Sequence, residues 1–163
     1  MGDPALECTY IGAITRAPQL AVLDAQVADA QAKGARLLLG GARLASPGNF
    51  YAPTVFCHVN HSMELMGEKS FGPIIGLQKV SGDAEAVQLM KDTRYGLTAG
   101  VFTPDAQRAK AILPQVQAGT VYWNCCDRVS PRLHWSGQCD SGVGLTLSTY
   151  GIATFNRPRL GIC

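Results

Sequence analysis

The chain has 163 residues, 47% of them apolar and 16% charged, and a formal net charge of +2. This is too apolar for a disordered chain, and it holds no basic block for a nucleic-acid backbone. No apolar run reaches the roughly 18–20 residues that cross a bilayer, so neither nucleic acid nor membrane is an expected partner. From Pro18 to Lys33, Leu20, Leu23, Val27 and Ala30 recur at spacings of three and four, which predicts a helix burying that face. Gly34 is a natural terminator for it. Residues 36–39 read as a short strand stopped by Gly40-Gly41, and Pro47-Gly48-Asn49 as a turn. Residues 54–59 and 74–80 read as strands. Residues 83–91 read as a helix with Asp83 as N-cap and Ala86, Leu89 and Met90 turned inward. Residues 99–103 read as a strand, after which Thr103 caps a helix with Pro104 in its first position, ending near Leu113. Residues 119–123 form a further strand, and the chain beyond Asn124 turns irregular and glycine-rich.

Strands alternating with helices predict an α/β fold, a largely parallel sheet flanked by helices, with chemistry in loops at the strand ends. No repeat or linker divides the sequence, so residues 1–163 are expected to act as one unit. The six cysteines, Cys8, Cys57, Cys125, Cys126, Cys139 and Cys163, show no disulfide framework. With no charged-then-apolar leader, they lead to the expectation of a reduced, cytoplasmic protein. Leu6 stands where a myristoylation signal needs Ser or Thr, and Cys163 is the last residue, so no lipid anchor is expected. Cys57 reads as a small buried hydrophobe, and Cys57-His58 with His61 as surface residues, not a zinc site.

Several segments, in order, resemble the aldehyde dehydrogenases. Met1-Gly2-Asp3-Pro4 is similar to that family's V-G-D-P, and Ile11-Gly12-Ala13-Ile14 to its M-G-P-L/I. Gly48-Asn49-Phe50-Tyr51-Ala52-Pro53-Thr54 resembles G-x-F-x-x-P-T, and Glu68-Lys69-Ser70-Phe71-Gly72-Pro73 resembles E-E-x-F-G-P. Residues 92–101 follow D-T-x-Y-G-L-x-A-G-V closely, and residues 119–124 follow G-T-V-x-x-N. His134-Trp135-Ser136-Gly137-Gln138-Cys139 and the residues to Gly144 resemble P-F-G-G-x-K-x-S-G-x-G. The resemblance runs from about Gly2 to Pro158 and is to the C-terminal part of the family's catalytic domain.

The resemblance implies a complete protein that oxidises an aldehyde to a carboxylic acid with NAD or NADP. In the family a cysteine thiolate attacks the aldehyde and a glutamate activates water to release the acid. Both, with the dinucleotide-binding domain, precede the G-D-P segment, so no catalytic residue is expected among these 163. Gly137-Gln138-Cys139 resembles the nucleophile motif G-Q-x-C but is one residue short, and Cys139 reads as a loop cysteine. For cofactor binding the resemblance points to Lys69 and Phe71. Lys69 occupies the position of the glutamate that holds the nicotinamide ribose hydroxyls, and Phe71 matches the ring near the nicotinamide. An ammonium donates hydrogen bonds but cannot accept them, so that clamp is weakened or lost. For substrate it points to Trp135, an aromatic wall suited to apolar aldehydes, and to Cys125 in the tunnel loop. Cys125 and Cys126 read either as small loop residues or as a redox pair, and Asn124 as a satisfier of backbone groups. The implied partners are an aldehyde, further copies of the chain, or the missing N-terminal part. The alternative is a pseudoenzyme, a non-catalytic interaction protein binding an aldehyde dehydrogenase subunit.

Overall fold

The computed structural model describes residues 1–126 and 128–157. Asp127 in the irregular stretch, the end of the family resemblance at Pro158, and Cys163 lie outside the described residues. The chain divides into two compact units, Met1–Val80 and Ser81–Cys163.

In the first unit, helix α1 (Pro18–Ala32) buries Leu20, Leu23, Val27 and Ala30, the face expected from their spacing, together with Gln26. It ends as expected at Gly34, whose φ of 88° permits the reversal. Ala35 N–H donates to Ala30 O and Gly34 N–H to Gln31 O, the two bonds of a Schellman end. Strand β1 (Arg36–Leu39) pairs antiparallel with β2 (Thr54–Cys57), with a register shift between Leu37 and Leu39. The short helix α2 (Glu64–Gly67), not foreseen, lies between β2 and β3 (Ile74–Leu77), and that pair is parallel. The core gathers Leu23, Tyr51, Phe56 and Met63, each at most 1% exposed, under α1 and the sheet.

In the second unit, helix α3 (Asp83–Lys91) starts one residue after its cap, Gly82, so Asp83 is not the N-cap. The Asp83 carboxylate is held instead by Arg108, whose Nε lies 2.9 Å from Oδ2. Val87 is the fully buried residue of α3, with Met90 packed partly beside it, whereas Ala86 and Leu89 are half-buried. Strands β4 (Tyr95–Gly96) and β5 (Thr98–Val101) follow. Helix α4 (Ala106–Ile112) is capped by Asp105, whose Oδ1 accepts from the Gln107 and Arg108 amides at 2.8 and 3.1 Å. Thr103 stands two residues before that cap, with its hydroxyl oxygen accepting from Asp105 N–H, and Pro104 precedes the helix. A 3-10 turn (Leu113–Gln115) leads to β6 (Thr120–Trp123), parallel to β5. Strand β7 (Gln138–Cys139) pairs antiparallel with β4, and helix α5 (Ser148–Thr154) follows; neither was foreseen.

The α/β expectation holds, but the strands form three small sheets among the described residues, and two of the four pairings are parallel. The connections explain this. A helix lies between β2 and β3 and between β5 and β6, and parallel neighbours need such a crossover. The β1–β2 link carries Gly40-Gly41, the antiparallel bridge of Arg43 with Tyr51 and the turn near Gly48, with no helix, and its strands run antiparallel. No helix among the described residues is long and apolar enough to cross a membrane.

Candidate functional site

The loop carrying Lys69 and Phe71 runs from the end of α2 into β3 and is pinned at three points. The Gln19 amide nitrogen donates to Ser70 O at 2.6 Å, tying the loop to the first turn of α1. Thr54 N–H donates to Pro73 O at 2.8 Å, tying it to β2. Between them Gly72 lies against Leu23 so closely that a Cβ would sit 2.6 Å from Leu23 Cδ2 and displace that buried side chain. These anchors hold Phe71 at a φ of 46° and 71% exposed. Its ring lines a cleft of about 420 Å³ with Ala13, Ile14, Thr15, Arg16 and Gln19. The Lys69 ammonium stands 4.4 Å from the Phe71 ring centroid, a cation–π contact. The two residues expected at the cofactor side thus come together on one loop. The sequence reading missed Arg16 and Gln19, although their place at the predicted start of α1 was a usable signal.

Lys69 cannot accept hydrogen bonds from a ribose diol as the family's glutamate would. The hydroxyls of a diol need an acceptor, and Lys69 and Arg16 are donors only. The Gln19 amide nitrogen is already committed to Ser70.

In the second unit the end of β6 is clamped by side chains. Asn124, at a φ of 49°, accepts from Thr103 N–H at 2.8 Å and donates to Thr103 O at 2.9 Å. Trp123 Nε1 also donates to Thr103 O, at 2.9 Å. Asn124 therefore satisfies backbone groups, as its sequence position suggested. Cys125 follows, half-buried, its thiol 3.7 Å from Cys126 O, and Cys126 is exposed. Trp135 is half-buried and held by paired backbone bonds with Thr146, at 2.8 and 3.0 Å. The His134 ring, in place of the family's proline, meets Tyr150 edge-on at 6.2 Å. Cys139 is exposed on β7 with a φ of 53°, its sulfur accepting from Gln117 Nε2 at 3.2 Å. Trp135 and Cys125 occupy separate segments, each with its own anchorage. Among the described residues no group of three or more His, Cys, Asp or Glu side chains is arranged to hold a metal.

Comparison with known proteins gives this geometry a family. The profile of the aldehyde dehydrogenase family matches residues 1–159. The chain is 36% identical over 156 residues to a succinate semialdehyde dehydrogenase [NAD(P)+] of Escherichia coli (strain K12), covering 95% of this chain and 34% of that one. It is 37% identical over 144 residues to a betaine aldehyde dehydrogenase of Cereibacter sphaeroides (strain ATCC 17029 / ATH 2.4.9), covering 88% and 30%. The structure superposes on an NAD-dependent aldehyde dehydrogenase from Sinorhizobium meliloti with a TM-score of 0.90 and 34% identity, over 95% of this chain and 31% of that one. It also matches a betaine aldehyde dehydrogenase from Staphylococcus aureus in complex with NAD+, at a TM-score of 0.85 and 28% identity, over 90% and 30%. The chain spans about a third of the length of these relatives. With nearly every residue inside the family match, and the fold shared, the chain belongs to the aldehyde dehydrogenase family.

Proposed function

We propose that these residues are the C-terminal part of an aldehyde dehydrogenase catalytic domain, whose complete form oxidises an aldehyde to a carboxylic acid with NAD or NADP. The observation that carries this reading is the family match over residues 1–159 by a chain one third the length of its relatives. In this reading Lys69 and Phe71 face the cofactor, and Trp135 and Cys125 face an apolar aldehyde. The 163-residue polypeptide by itself is inactive, because the family's nucleophile and general base belong to segments that precede its G-D-P motif. The cysteines, free where they are described, suit a reducing cytoplasmic setting.

Mixing the purified chain with NAD or NADP and a panel of aldehydes tests the inactivity, with NADH or NADPH followed by absorbance. No aldehyde-dependent signal is expected. Steady production abolished by Cys139→Ala would overturn it. In a full-length version, Lys69→Glu is expected to tighten NAD by about 1 kcal/mol, since it restores an acceptor for the ribose hydroxyls. Unchanged affinity by calorimetry would show that Lys69 does not occupy the clamp position.

One observation favours a second reading, a non-catalytic protein that binds an aldehyde dehydrogenase subunit or its own copies: the donor-only Lys69 over Phe71. Exposed Ile75 and Leu77 on the edge strand β3, and Val121 and Trp123 on β6, supply apolar surface for such association. Light scattering with size-exclusion chromatography at micromolar concentration is expected to show self-association. A clean monomer would remove this second reading for the isolated chain.

A further inference from the structure

We propose that the thiols of Cys125 and Cys126 form a chelating site for a monosubstituted trivalent arsenical, a soft electrophile that takes two protein sulfurs and brings its own third substituent. The inference goes beyond the aldehyde dehydrogenase reading and holds whether or not Cys125 faces a substrate. Its basis is the way the end of β6 presents two free thiols on neighbouring residues.

Both cysteines are free, Cys125 half-buried and Cys126 exposed. A direct bond between them is disfavoured. Their peptide bond is trans, which sets the Cα atoms about 3.8 Å apart, closer than the roughly 4.4 Å at which the usual disulfide range begins. A bridging atom with longer bonds to sulfur lifts that constraint, because it joins the two sulfurs without bringing them into contact. The backbone that carries the pair is anchored on both sides. Before it, Asn124 N–H donates to Val101 O at 2.9 Å, and the Asn124 side chain makes its two bonds to Thr103. After it, Tyr122 OH donates to Arg128 O at 2.8 Å. Cys125 O also lies against β5, where a Cβ added to Gly100 would sit 3.4 Å from it. Capture by one thiol therefore keeps the arsenical beside the other, and the second bond forms within one molecule at high effective concentration. The Cys125 thiol makes a weak bond to Cys126 O at 3.7 Å, which is readily exchanged. Cys8, Cys57 and Cys139 have no adjoining cysteine in the sequence. Among the described residues no group of three or more His, Cys, Asp or Glu includes the pair, so the tetrahedral set of a structural zinc is not assembled here. An arsenical whose carbon substituent fills its third valence needs the two sulfurs alone. In the reaction two As–O bonds break and two As–S bonds form. The two thiol protons leave with the arsenical's oxygens as water, and arsenic stays trivalent, so no oxidant or reductant takes part.

The probe is phenylarsine oxide, added to the reduced, unaltered chain and followed by a large excess of a monothiol, which displaces arsenic held by one sulfur. Native mass spectrometry reads what remains. One phenylarsenic group per chain is expected, with two thiol hydrogens lost, and a small dithiol such as dimercaptopropanol should remove it. In Cys125→Ser and in Cys126→Ser the monothiol concentration that displaces the group should fall by about 100-fold, the advantage of a second, intramolecular bond. Cys139→Ser should leave it unchanged. Unaltered tryptophan emission would show that the variants keep the second unit. Alkylation footprinting needs no variant. In the unaltered chain the bound arsenical should shield Cys125 and Cys126 together from iodoacetamide while Cys8 and Cys139 still react. No retained adduct, undiminished retention in either single variant of the pair, or shielding of another cysteine in place of the pair would each overturn the inference.

Discussion

Residues 1–80 enclose Leu23, Tyr51, Phe56 and Met63 almost completely, whereas the apolar cluster of residues 81–163 centres on Val87, Ile112 and Val116. The first unit holds the Lys69–Phe71 loop against a packed helix and sheet through Gln19, Leu23 and Thr54. The second holds Cys125 and Trp135 through hydrogen bonds at strand ends, at Asn124 and Thr146. Burial of large side chains is worth more per residue than one exchanged hydrogen bond, so the two regions should differ in what breaks them.

The largest effect is expected from Phe56→Ala, which opens a cavity in the first unit's core at a cost of about 3–5 kcal/mol. Val87→Ala in the second unit removes two methyl groups from a thin cluster and should cost about 2 kcal/mol. Urea unfolding measures both. Tryptophan fluorescence reports the second unit, since Trp123 and Trp135 lie there, and amide hydrogen exchange reports residues 1–80. If Val87→Ala cost as much as Phe56→Ala, the contrast between the cores would be wrong.

Next in size is Asn124→Ala, which removes both bonds to Thr103 and places a Cβ-bearing residue at a φ of 49° without asparagine's tolerance for it. A loss of about 1–3 kcal/mol is expected. Asn124→Asp keeps the acceptor for Thr103 N–H and should recover part of that loss. A recovery larger than that seen with glycine would assign the effect to hydrogen bonding over backbone conformation.

A smaller, pH-dependent effect belongs to Tyr51. Burial, reinforced by the Asp24 carboxylate, pushes its hydroxyl up to about 12. The folded chain therefore favours the neutral phenol. The resulting stability is present below pH 10 and is lost as pH rises from 10 through about 12. Tyr51→Phe should flatten this alkaline loss, because it removes the ionisable phenol. An unchanged alkaline limb in urea titrations at several pH values would remove Tyr51 as its source.

The smallest effect is expected on the acid side. The Arg108 guanidinium beside Asp83 holds that carboxyl below the usual carboxylate range. Its contribution is present above that range and is lost as pH falls through the lowered folded value. Asp83→Asn should reduce the acid sensitivity of the second unit, read by tryptophan fluorescence. In the first unit Asp29, lowered by the Lys33 ammonium and the Glu64 amide, should lose its contribution in the same direction, and Asp29→Asn checks this by hydrogen exchange.

Much of the local structure was legible in order along the chain. The period of Leu20, Leu23, Val27 and Ala30 marked the buried face of α1, and Gly34 marked its end, because both depend on neighbours within about two turns. Strands β1, β2, β3, β5 and β6 fell where β-branched and apolar runs stood between turn residues. Residue identity at matched positions was enough to name the family and to single out Lys69 as a departure from it. Caps were less legible. Asp83, expected to cap α3, falls inside that helix with its carboxylate on Arg108, and α4 is capped by Asp105, not by the expected Thr103.

Tertiary structure alone decided the rest. The division at Val80–Ser81 carries no compositional marker, since it follows from which contacts close and not from the linker. The pairing of β4 with β7 joins residues more than forty positions apart, through two-residue strands too short to register as a pattern. By itself the sequence placed Lys69 and Phe71 two residues apart and gave the chemistry of each. That the ammonium lies on the ring, and that the ring lines a cleft with Arg16, depends on Gln19 and Leu23 gripping the loop from fifty residues away. Local periodicity encodes which face of an element is buried, but the meeting of distant donors around one ring is fixed only when the core closes beneath them.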